Sequence, residues 1–223
     1  MTITIPENLS EITLDQFIKY NRVLNIPDLD DERKMIFIVA LFCNIDVSKI
    51  GILEIVKVKE IANKIVDVLN SKPREIIEFK LNNELFGFIP NFDTITSSEY
   101  IDLDLYINQI ETANKAMSVL FRPIIKKVSG SYLIEKYEGS DNFSNEMLKA
   151  PLEAYLSAKV FFWNLSKALL KTTKVYLSDQ TTEIIQLDQA LQKNGSGMIQ
   201  FIQLLTEMSL ILEKQLSYQY TNF

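Results

Sequence analysis

The spacing of the apolar residues changes along this chain near residue 76, and that change limits what it can fold into. Upstream, Val58, Ile61, Ala62, Ile65 and Leu69 recur at three-four spacing, one face of an α-helix from Glu54 to Leu69. Downstream, Ile76 to Leu81 and Leu85 to Ile89 flank Asn82-Asn83, a polar pair able to adopt the positive φ values of a tight hairpin turn. A chain with both signals is neither a pure helical bundle nor a sandwich. It predicts a mainly α protein with one or two short β-hairpins, an α+β arrangement.

The remaining elements fit around that hairpin. Thr2 to Ile5 alternates like a short strand and stops at Pro6. Thr13, with Gln16 three residues on, reads as a capping box opening a helix that turns Leu14, Phe17, Ile18 and Val23 toward the core. Acidic residues Asp28, Asp30, Asp31 and Glu32 precede a second helix through Met35 to Phe42, where they suit the positive helix end. A calcium loop would need a glycine and a twelfth-position glutamate that do not follow. Asp46 caps a brief helix ending near Gly51, and Thr96 or Ser97, with Glu99 close behind, starts one holding Tyr100, Leu103 and Ile107. Ile124 to Val128 and Ser131 to Glu135 form a second hairpin around Gly130.

A long helix begins near Pro151 and runs to about Leu170. Val160, Phe161, Phe162 and Trp163 make its middle apolar all round, as expected of a helix covered on several sides. Beyond it the composition shifts. Asn194 to Gly197 is a flexible break, and Met198 to Leu216 is strongly apolar, with Met198, Phe201, Ile202, Leu205, Met208 and Leu212 on one face. These six are the predicted partner interface. The domain reading is therefore residues 1–177 as a mainly helical domain with the hairpin inserted near 76–89, and residues 178–223 as a C-terminal helical hairpin or extension.

Composition removes several chemistries. The chain has 223 residues, no histidine and one cysteine, so Ser-His-Asp and Cys-His nucleophile pairs, histidine zinc ligands and an internal disulfide are all excluded. Cys43, inside MIFIVALFC, reads as a small buried side chain. No phosphate-cradling glycine loop, dinucleotide fingerprint or nucleophile elbow is present, so no catalytic residue, cofactor or metal is expected. A net charge of −6 opposes nucleic-acid phosphates. The longest apolar run, Met35 to Cys43, is well short of the ~20 residues that span a bilayer, and the N-terminus lacks a basic region followed by an apolar block. Neither nucleic acid nor a membrane is an expected partner.

The nearest approach to a carboxylate pair is Asp102 and Asp104. Two residues apart on a helix they diverge by roughly 200°, which prevents joint work on one substrate atom. Arg122, among Val119, Leu120 and Phe121, needs a carboxylate partner if buried, and a structural ion pair with Asp102 or Asp104 is the expectation.

One resemblance extends over roughly residues 10 to 170. The run FGFIPNFDTITSSEYIDLDLYI from Phe86 with KAMSVLFRPI ending in Arg122-Pro123 and Ile124, the earlier ITLDQFIKY, and the later YEGSDNFSNEMLKAPLEAYLSAKVFFWNL resemble small proteins of tailed bacteriophages, crAss-like phages included. The fixed points are Pro90, Tyr100, Asp102, Arg122, Pro123 and Tyr137. That group is usually placed with virion structure and tail assembly. The resemblance implies a non-enzymatic protein resembling tail assembly chaperones, working through contacts with other phage structural or tail proteins, or with copies of itself, in the host cytoplasm. A permanent virion component (connector, ring or cargo protein) and a cytoplasmic regulatory adaptor are the alternatives.

Overall fold

A computed structural model describes residues 3–128 and 130–164. The first half is helical: α1 (Leu14–Leu24), α2 (Asp31–Phe42), α3 (Val47–Ile50) and α4 (Ile55–Leu69). Then follow β1 (Glu78–Leu81), β2 (Glu84–Phe88), α5 (Ser97–Tyr106), α6 (Ala113–Leu120), β3 (Phe121–Val128), β4 (Ser131–Ile134) and α7 (Ser144–Met147). Among the described residues the last helix is α8, helical over residues 152–164. The mainly helical α+β class is the observed one. Of the strand expected from Thr2 to Ile5, the described residues 3–5 have no regular structure.

Helix starts follow local chemistry. Thr13 and Gln16 form the reciprocal capping box, and Thr96 and Glu99 form a second one on α5. Asp30 accepts from the Arg33 amide at 2.8 Å and Asp46 from the Ser48 amide at 2.8 Å, so the acidic residues before α2 include its cap. Val58, Ile61, Ala62, Ile65 and Leu69 of α4 are all buried, as their spacing requires. In α1, Leu14 and Ile18 are buried, whereas Val23 lies at the margin and Tyr20, not counted as core from the sequence, is wholly enclosed. Gln16 does more than cap: its amide donates to the Leu41 carbonyl at 3.0 Å and so ties α1 to α2.

The strands form one antiparallel sheet in the order β1-β2-β3-β4. Asn82 and Asn83 have φ of 49° and 67° at the first turn, and Gly130 has φ of 77° at the second. The two hairpins join through Phe86, Gly87 and Phe88, paired with Pro123, Arg122 and Phe121. Helix α6 passes into β3 without a loop, so Arg122-Pro123 lies inside a strand. One sheet face is aromatic: Phe79 stacks on Phe86 at 5.8 Å, Phe121 sits 5.1 Å from Phe79, and Phe143 meets Phe86 edge-on. On the other face the Tyr132 ring lies over Gly87, and its hydroxyl donates to the Phe88 carbonyl at 2.8 Å. A Cβ on Gly87 would stand 2.6 Å from that ring, so the crossing needs glycine.

The chain divides into two compact units, one running to Ser157 and one opening at Ala158. In the first, the start of α1 is fastened to the start of α8: the Leu14 amide donates to Ala150 and the Leu152 amide to Ile12, around a bridge between Thr13 and Pro151. Of the second, the structure describes helical residues 158–164. There Phe162 is buried and Val160 and Phe161 are partly exposed. The boundary expected at 177/178 lies outside the described residues.

Candidate functional site

Helix α5 presents its inner face at Glu99, Leu103 and Ile107, one residue per turn, and all three are buried. Glu99 divides its carboxylate. Oε2 accepts from the Thr96 amide and hydroxyl, both at 2.7 Å, while Oε1 meets the Arg122 guanidinium at 2.5 Å. Both side chains are less than a tenth exposed. This corrects the expected pairing of Arg122 with Asp102 or Asp104. The helix phase decides it: Glu99 shares the buried line of Leu103, whereas Asp104 is turned to solvent.

Asp102 takes a different partner. It accepts the Tyr137 hydroxyl, and the Tyr137 ring lies 5.6 Å from the guanidinium carbon of Arg122. The four side chains thus form a chain from Glu99 through Arg122 and Tyr137 to Asp102. Burial, reinforced by the bond to Asp102, pushes the Tyr137 phenol well above its ordinary range. That direction keeps the proton in place at neutral pH, the opposite of what a phenolate base needs. Behind it, the Ser118 hydroxyl bonds to the Ser140 carbonyl and holds the following turn. The arrangement fastens α5 and residues 137–140 to β3.

A second cluster went unnoticed in the sequence. Glu153 in α8 is buried and accepts from the Arg74 amide at 3.0 Å, from its guanidinium at 2.9 and 2.8 Å, and from the Ser10 hydroxyl. Those bonds, the Arg74 guanidinium first, hold its carboxyl down at about 2. One turn on, the Ser157 hydroxyl accepts from the Ile76 amide at 2.8 Å. The segment between α4 and β1 is thereby pinned to α8. The signal for it was Glu153 itself, a carboxylate amid Leu152, Ala154 and Tyr155 that needs a cation once those residues are buried.

With these polar groups engaged, the exposed apolar side chains stand out. Val47, Ile52, Ile55 and Val56 lie within ten residues across α3, the following turn and the first turn of α4, and Ile52 is 82% exposed. Lys49 and Lys57 are exposed among them. The predicted interface at Met198, Phe201, Ile202, Leu205, Met208 and Leu212 lies outside the described residues. Cys43 is buried, and burial pushes its thiol up to about 11, so it stays protonated and inert at neutral pH. Among the described residues no group of three or more cysteine, aspartate or glutamate side chains is placed to hold a metal ion, and no helix is long and apolar enough to cross a membrane.

Comparisons with protein-family models, curated proteins and solved structures gave no match to this chain.

Proposed function

We propose that this chain is a non-enzymatic bacteriophage tail or virion assembly protein that acts by holding other phage proteins. The phage setting rests on the resemblance over residues 10 to 170. The mode of action is supported by one observation, the corner at Val47, Ile52, Ile55 and Val56, where four large apolar side chains stand in solvent on α3, which Asp46 caps, the turn after it and the first turn of α4. Leaving such surface wet is unfavourable by about 25 cal/mol per Å², and a partner that covers it recovers that energy. The ionisable clusters support the same reading from the other side, since Glu99, Arg122, Tyr137 and Asp102, and Glu153 with Arg74, are engaged with one another.

Deleting the gene from the genome that encodes it tests the reading. Particles lacking tails, or carrying malformed ones, are expected under the electron microscope. Normal numbers of normal tailed particles would overturn it. The copy number in purified virions then separates a factor left behind after assembly from a retained component.

A further inference from the structure

We propose that the β3–β4 hairpin of one copy docks on the outer face of α5 of a second copy. The hairpin carries a bulge between Ile124 and Lys126, so Ile125 and Lys126 both stand opposite Leu133. Val128, two residues on from Lys126, shares that side of the pleat. Ile125, Val128 and Leu133 are each more than half exposed. From Pro123 to Ile134 the sequence holds Lys126 and Lys127 and no acidic residue, and Lys127 already binds Glu78 at 2.6 Å. The hairpin is therefore an apolar surface with an exposed cation, Lys126, among the apolar side chains.

The outer face of α5 has the complementary character. Ile101 and Leu105, one turn apart, are each more than half exposed, with Asp104 exposed beside them. Between Leu81 and Asn114 the chain carries six acidic residues and no lysine or arginine. Arg122 pairs with Glu99 on the inner face of α5, Arg22 with Glu111, and Lys115, over the Tyr106 ring, with Asp141, while Asp104 forms no ion pair among the described residues.

Both surfaces are exposed in the same molecule, so they do not cover each other within one copy. Each copy carries both halves of the contact. The match can be made twice across a two-fold axis, or once per neighbour in a ring or row. Apolar side chains supply the attraction, and the Lys126–Asp104 polarity sets orientation and salt dependence. This self-contact uses a surface separate in sequence from the corner at residues 47–56 and does not depend on the assembly reading.

Analytical ultracentrifugation of the full chain tests it, with circular dichroism to check that each variant is folded. Self-association is expected, weaker in high salt. Lys126→Glu alone or Asp104→Lys alone should weaken it by about fivefold or more, because each places like charges together. The combined Lys126→Glu/Asp104→Lys variant should restore it. A full chain that stays monomeric at every concentration, or association that ignores both single charge reversals, overturns the proposal; the second result would move the self-contact to another surface.

Discussion

Glu99 and Arg122 form a buried ion pair in which the carboxylate also caps its own helix. One oxygen serves the Thr96 amide and hydroxyl, and the other serves the guanidinium. Removing either partner strands a charge away from water, so Glu99→Ala and Arg122→Ala should each cost about 3–5 kcal/mol in urea denaturation, while an apolar pair of similar volume recovers part of the loss. Asp104→Asn, on the exposed side of α5, should stay within about 0.5 kcal/mol. Additive effects of the Glu99 and Arg122 changes would refute the coupling.

Tyr137→Phe keeps the ring beside Arg122 and deletes only the hydroxyl that Asp102 accepts. The expected loss is about 1–3 kcal/mol, the cost of leaving a half-buried carboxylate without its donor. If Asp102→Asn costs as much in the Tyr137→Phe variant as it does in the parent chain, the two side chains are not coupled.

Gly87→Ala should destabilise by about 1–3 kcal/mol, because the added methyl would stand 2.6 Å from the Tyr132 ring and 2.9 Å from Ile124. Tyr132→Ala in the same chain should lessen that penalty. An unchanged denaturation midpoint for Gly87→Ala would mean the ring does not lie over the strand.

Glu153 makes stability depend on acid. Its carboxyl is held at about 2 in the folded chain against an ordinary value of 4.5, so the unfolded chain binds the proton first as pH falls. The stabilisation is fully present above about 4.5 and is lost on descent toward 2, on the order of 3 kcal/mol in total. Glu153→Gln should be less stable than the parent at pH 7, and the gap should close between pH 4.5 and 2. A gap that stays constant across that range would show that Glu153 is not held by Arg74 and Ser10.

Much of this fold was legible where the cause is local. The caps at Thr13, Asp46 and Thr96, the α4 stripe and the Asn82-Asn83 turn each depend on residues a few positions apart. What escaped was the second use of a residue already accounted for. Gln16 and Glu99 each complete a capping box and also reach another element, Leu41 in one case and Arg122 in the other. Assigning Glu99 to its cap left Arg122 to the nearby aspartates, and only the helix phase corrects that. The merging of two hairpins into one sheet was hidden for a similar reason, since the β2–β3 register depends on α6 delivering Phe121 beside Phe88 across thirty-odd residues of chain. Glu153 and Arg74 are farther apart still, and only the apolar setting of Glu153 hinted at a partner.

Light scattering of the full chain, alone and co-expressed with phage tail proteins, tests the proposed assembly role most directly. The account predicts a complex of defined mass with one of those proteins, lost when Ile52 and Val56 are changed together to aspartate in a chain that remains folded by circular dichroism. A chain that elutes without any of those proteins, or a complex untouched by the double change, would contradict it.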